Sequence, residues 1–190
     1  MQIQRRYVTM DETWAHHFDP ETKQQSKPVK FCRITSAGKI MASVFWDSEG
    51  MLMIGYLERG KTVTDVYYAE LIRKLRSAIK EKHYGKSSHG VLLHQDDAAV
   101  HTSAMAMAAI RECGFELLSP PDLAPSDYHV FRSLKDSLRG QIFSCGEEVI
   151  HTINDWFELQ DKQFFVDGVN SLAHRWEKCV VHEGDYIEKL

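Results

Sequence analysis

Apolar residues recur along this chain first at strand spacing and then at helical spacing. The β-branched and aromatic run "RRYVTM" (5–10) predicts a strand that ends at Asp11, and the polar, turn-rich "HFDPETKQQSKP" after it predicts a loop. Two apolar runs, "KIMASVFW" and "MLMIGYL", flank "DSEG", whose turn-forming residues predict a β-hairpin over 39–57. From Thr64 the spacing changes. Tyr68, Leu71, Ile72, Leu75 and Ile79 share one helical face, so residues 65–82 read as an amphipathic helix that ends at "KHYGKSSHG". "GVLLHQD" is continuously apolar before its acids, the mark of a strand buried on both faces. "HTSAMAMAAIREC" is rich in good helix formers and is stopped by Gly114; "FELLS" is a short strand and "SPPDLAP" a rigid loop. "SDYHVFRSLKDSLRG" reads as a helix with Ser126 as N-cap and Gly140 as stop. Ile150, Ile153, Trp156 and Phe157 then mark a helix, and another runs through Trp176.

A strand, a hairpin and then alternating helices and strands predict an α/β fold, a mixed sheet with helices on its faces. With 190 residues, one domain over 1–190 is expected, with an acidic helical C-terminal part from about 145 to 190. Composition (43% hydrophobic, 26% charged) is that of a globular protein, which excludes disordered and fibrous classes. "MQIQRRYVTMDE" lacks the apolar core of a signal peptide, and no run approaches the roughly 18 uncharged residues of a membrane span. An intracellular protein without a membrane partner is expected. Cys32, Cys113, Cys145 and Cys179 stand far apart, which predicts reduced and mostly buried thiols rather than a zinc knuckle or disulfide framework. Net charge is -4, but it is unevenly spread. Eight Lys or Arg against three acids lie between Arg59 and Lys86, and ten acids against four bases from Ser144 onward. The basic middle is either a solvated helix face or a surface for a polyanion.

In sheets of this kind functional groups gather at strand carboxyl ends. Asp11 and Asp96 are placed at such ends, and Asp127 opens a helix on the same edge. Two carboxylates about 4 Å apart at an effective dielectric near 20 repel by roughly 4 kcal/mol, or about three pKa units. Such a cluster persists only when protons or a divalent cation neutralise it, and hard oxygen ligands favour Mg²⁺ or Mn²⁺. Two ions about 3.5 to 4 Å apart would make it a phosphoryl-transfer site. The same acids also have plain structural roles, closing a strand, starting a turn or complementing a helix dipole.

"TMDETW" (9–14), "LLHQDDAAVHTS" (92–103) and "SPPDLAPSDYHVF" (119–131) resemble the three acidic motifs of mariner-type transposases. "WDSEG", "YLERGKTV", "YYAEL" and "RWEKCV" (175–180) also match that family's pattern, so the resemblance runs over nearly the whole chain. It implies a ribonuclease H-like fold with Asp11, Asp96 and Asp127 as metal-binding catalytic triad. It further implies Mg²⁺ or Mn²⁺, two ions, hydrolysis at transposon ends and strand transfer into target DNA. A nuclear location and a homodimer follow from the same resemblance.

Four departures accompany the match. The resemblance begins at the catalytic domain, so the family's paired helix-turn-helix modules are not expected, and specific end recognition is lost or supplied elsewhere. Asp97 stands where the family usually has Asn, an added charge beside the metals. The stretch from Leu118 to Asp127 is about four residues shorter than the family pattern. Its remaining residues still span on the order of 20 Å at about 3.3 Å each; the question is aim, since catalytic groups need placement within about 0.5 Å. The segment between "DPETKQQS" and "KPVKF" is also short. A truncated domain with weak or absent transposition is therefore expected. The alternative is an inactive DNA-binding or assembly module, as in family members fused to a SET-type histone methyltransferase, although nothing here resembles a SET domain.

The remaining signals are weaker. Arg73, Arg76 and Lys80 cluster on one helix face and are candidate phosphate contacts. His16, His17, His89, His94 and His101 follow no recognised ligand spacing, so surface or supporting roles are expected. Trp14, Trp46, Trp156 and Trp176 fall in apolar or periodic segments and are assigned to packing rather than base stacking. Glu12 is a candidate support for the first acid.

Overall fold

The computed structural model describes residues 6–17, 38–82, 90–118 and 124–181. Five strands form one mixed sheet in the order β3-β2-β1-β4-β5: β1 (Tyr7–His16), β2 (Lys39–Asp47), β3 (Gly50–Leu57), β4 (Val91–His94) and β5 (Phe115–Leu118). The hairpin pairs β3 with β2 and β2 with β1 antiparallel, whereas β4 lies parallel to β1 and β5 parallel to β4. At the hairpin, Asp47 Oδ1 accepts from the Glu49 and Gly50 amides at 2.7 and 3.1 Å, fixing the turn expected from "DSEG".

Side chains alternate across the sheet, so β1 builds two cores. Val8 and Met10 join Phe45, Leu52 and Leu93 under α1 (Asp65–Lys82) and α2 (Ala104–Glu112). Tyr7 and Ala15 join Val44 and Trp46 on the opposite face, under α3 (Arg132–Leu138), α4 (Gly146–Glu158) and α5 (Lys162–Val181). The apolar face expected for α1 is the one that is buried, Tyr68, Leu71, Ile72, Leu75 and Ile79 together with Ala69. Ser103 caps α2, accepting from the Ala106 amide at 3.2 Å.

Three expectations need correction. Asp11 does not end a strand; β1 continues to His16 because β2 pairs with it that far. Ser126 is not a helix cap. It begins a π-helical turn, Ser126–Phe131, that leads into α3, and its buried hydroxyl accepts from Trp46 Nε1 at 3.0 Å. Cys113 is a buried free thiol as expected, but Cys145 is exposed. The loops read over 18–28, 83–89 and 119–123, the shortened segment before "KPVKF", and the tail beyond 181 lie outside the described residues. Among the described residues no helix is long and apolar enough to cross a membrane.

Candidate metal centre

The site forms where β1 outruns β4. The parallel pairs are Tyr7 with Leu92, Val8 with Leu93 and Thr9 with His94, and β4 stops there. Two residues past the last pair on each strand stand Asp11 and Asp96. Beyond Thr9 the β4 side of β1 is unpaired, so Asp11 lies past the carboxyl end of β4, where this topology favours a site.

Alternation sends the two β1 acids to opposite faces. Asp11 shares its parity with Tyr7 and Ala15, on the face that also packs Val130 and Phe131 of the π-helical turn bearing Asp127. Burial, then repulsion from the Asp127 carboxylate, pushes Asp11 up to about 8; Glu12 and Asp96 add to the rise, and the Glu12 amide, donating to Asp11 Oδ1 at 2.7 Å, opposes it. Asp11 Oδ2 is buried with no hydrogen-bond partner. Burial and the charge of neighbouring carboxylates therefore act together on a group one of whose oxygens lacks a donor.

Glu12 points to the other face and meets His101. The imidazole is buried; Nε2 lies 3.1 Å from Glu12 Oε1, Nδ1 makes a short contact to Asp96 Oδ1, and the ring stacks on Tyr68 at 4.2 Å. Burial works against a charged ring, but the bonds to Asp96 and Glu12 and the attraction of both carboxylates outweigh it and raise His101 to about 9. The same His101 bond, partly offset by burial, lowers Asp96. The Ala98 amide adds a second donor at 3.3 Å, also on Oδ1, so neither contact uses Oδ2. Beneath this bridge Tyr68 Oη donates to Gln95 Oε1 at 2.5 Å, and Gln95 Nε2 donates to the His101 carbonyl at 3.1 Å. His94, last on β4, is kept neutral by burial, which lowers it to about 4, and accepts from Tyr7 Oη at Nδ1, 2.5 Å away.

Glu12, Asp96 and His101 place one ligand atom each within 4.8 Å of one another. Both ring nitrogens of His101 already face carboxylate oxygens at hydrogen-bonding range, which suits an imidazolium bridge better than a metal ligand. On the Asp11 side the donor set is all carboxylate, with a buried oxygen lacking a proton donor, and this suits a hard divalent cation.

Relatives carry the same fold. The family model described as transposase, partial DDE domain, matches residues 9–89. The mariner Mos1 transposase of Drosophila mauritiana is 33% identical over 200 residues, covering 96% of this chain and 56% of that protein. The catalytic domain of Mos1, solved with raltegravir and Mg, superposes with a TM-score of 0.82 at 32% identity, covering 97% of this chain and 87% of that domain. The chain belongs to the mariner transposase catalytic-domain family. Human histone-lysine N-methyltransferase SETMAR is also similar, 28% identical over 194 residues, 96% of this chain and 28% of that protein. The chain thus spans 56% and 28% of these two relatives' lengths.

Within this mariner fold the residues singled out by sequence fare differently. Asp127 and, more weakly, Asp96 act electrostatically on Asp11, but among the described residues the group with ligand atoms all within 4.8 Å of one another is Glu12, Asp96 and His101, not the three aspartates. For His101 the supporting role is the one the structure gives, since it is buried between Asp96 and Glu12; the sequence signal for that partnership is a histidine five residues after Asp96. Arg73 and Arg76 are on α1 but engaged: Arg73 pairs with Glu112 at 3.1 Å, and Arg76 donates to the Glu112 carbonyl at 2.7 Å. Lys80 is exposed. Trp46 is fully buried, as expected for packing, whereas Trp14 is 37% exposed with Lys39 Nζ 3.8 Å from its ring.

Proposed function

We propose that this chain is a divalent-metal-dependent phosphoryl-transfer domain acting on DNA. Asp11, Asp96 and Asp127 would hold Mg²⁺ or Mn²⁺, two ions, for hydrolysis at transposon ends and strand transfer into target DNA. The observation that carries this reading is the Asp11 carboxylate, raised first by burial and then by its acidic neighbours, and left with an oxygen that no proton donor satisfies. Cations bound there supply Lewis acidity and activate a water or hydroxyl nucleophile. The chain's own part is to keep three carboxylates together before any ion arrives. Asp11 is fixed through Oδ1 by the Glu12 amide, and Asp96 through Oδ1 by His101.

Support for DNA comes from relatives: Mos1 has been solved as a paired-end complex with left transposon end, TM-score 0.84 to this chain at 31% identity. We extend that to DNA ends as partner, to pairing of two copies and to a nuclear location. Calorimetric titration of Mn²⁺ tests the metal reading. The wild type is expected to bind in the micromolar range, and Asp96→Asn and Asp127→Asn each to lose binding. A wild type that binds no Mn²⁺, or an Asp127→Asn variant that binds as well as wild type, would replace it with an inactive DNA-binding or assembly module.

A further inference from the structure

Asp127 is fastened from both sides to parts of the chain remote in sequence. Just before it, Ser126 is held by Trp46 of β2. Just after it, His129 Nε2 donates to the Phe164 carbonyl at 2.8 Å, and its ring stacks on Phe164 at 4.3 Å. Tyr128 Oη donates toward the Gly168 carbonyl at 3.5 Å and lies 3.2 Å from Ser171 Oγ; the Arg175 guanidinium covers its ring at 3.8 Å. Phe164, Gly168, Ser171 and Arg175 follow one another at steps of four, three and four, which is a single stripe along α5.

Gly168 lies where the two fastenings converge. A Cβ there would come 2.7 Å from His129 Cδ2 and 2.8 Å from Trp46 Cη2, closer than such atoms approach. A glycine inside a helix is disfavoured unless packing requires it, and here the close approach of α5 to the turn requires it.

We propose that α5 is the element that aims Asp127, with Gly168, Ser171 and Arg175 as positioning residues acting through Tyr128 and His129. The consequence for cation binding rests on the reading of Asp127 as a ligand given above; the anchoring itself does not. The connection from β5 then has only to span the distance, because α5 and Trp46 set the direction. A shortened connection is compatible with an assembled site for that reason.

Two measurements on the full chain separate the anchoring from the metal reading. Hydrogen exchange in chelator is followed for peptides covering 124–131 in wild type, Gly168→Ala and Ser171→Ala/Arg175→Ala; the double variant introduces no clash should Gly168→Ala fail to fold. Exchange over 126–131 is expected to quicken about tenfold while α1 peptides stay unchanged. Mn²⁺ affinity is expected to fall about 10–100-fold, as for other groups that orient ligands. Urea midpoints of the same variants, read beside the unchanged α1 exchange, separate this local loosening from a general loss of stability. Unchanged exchange over 126–131 in the folded variants overturns the proposal, whatever the affinity does. A wild type that binds no Mn²⁺ removes the metal reading, and the exchange rates alone then decide whether α5 holds the turn.

Discussion

Asp11 and His101 both bind protons more tightly in the folded protein than in the unfolded chain, whereas His94 and Asp96 bind them less tightly, and the balance shapes the pH behaviour of the metal-free domain. Asp11 rises from 3.8 to about 8 and His101 from 6.5 to about 9. Wherever the folded state holds the extra proton, stability falls as pH rises. Asp11 contributes that fall between about pH 4 and 8; the His101 contribution is complete below its unfolded value and is lost as pH passes about 9. Between about pH 4 and 6.5 the lowered His94 works the other way and offsets Asp11, so denaturant melts in chelator should show declining stability from about pH 6.5 to 9, and Mn²⁺ should restore it by taking the place of the Asp11 proton. Asp11→Asn should be more stable than wild type at pH 8 without metal; the reverse order would contradict the carboxylate cluster. His101→Ala leaves Asp96 and Glu12 without their shared donor. It should weaken Mn²⁺ binding about 10–100-fold and cost about 1.5–3 kcal/mol in urea titration, the scale of hydrogen bonds to charged groups.

At the level of elements, the site depends on strands and helices ending at particular places. β4 stops at His94 while β1 runs on to His16, and that mismatch leaves the second half of β1 unpaired on its β4 side. The π-helical turn carries Asp127 in its first residues, and such turns recur at functional sites because they re-aim side chains. Trp46→Phe keeps the bulk of the β2 anchor but leaves the Ser126 hydroxyl buried without its donor. The expected cost is about 1–3 kcal/mol by denaturant midpoint, with unchanged strand content by circular dichroism. Most elements could be read from the sequence because their apolar periods were clear: the hairpin, α1 and the C-terminal helices lie where the pattern put them. The end of β1 is not legible in the sequence because "DETWAH" lacks the apolar run of a buried strand; pairing with β2, a tertiary contact, extends it. Ser126 looks like a cap because Ser before Asp has the local chemistry of one, while its actual partner, Trp46, is eighty residues away.

Over the whole molecule, the charge imbalance bears on how a polyanion would dock. α1 carries Arg73, Arg76 and Lys80 on one flank, but Glu112 at the end of α2 engages the first two. If this flank tracks phosphates, Arg73→Glu/Arg76→Glu/Lys80→Glu should weaken nonspecific DNA binding and flatten its dependence on log salt by about 2 to 3. Glu112→Gln should strengthen binding modestly by releasing the Arg73 pair. Fluorescence anisotropy over a salt series measures both, and an unmoved slope would assign these residues to the link between α1 and α2.

The order of elements and the mixed α/β sheet were determined by sequence alone, because hydrophobic period acts over a few residues. Tertiary structure decided the rest. The β1–β4 register brings Asp11 beside Asp96, alternation sends Glu12 to His101 on the far face, and α5 closes on Tyr128 and His129 through Gly168. Each joins residues between about thirty-five and ninety positions apart, and no local pattern encodes a contact whose two halves meet only when the sheet and its helices have packed.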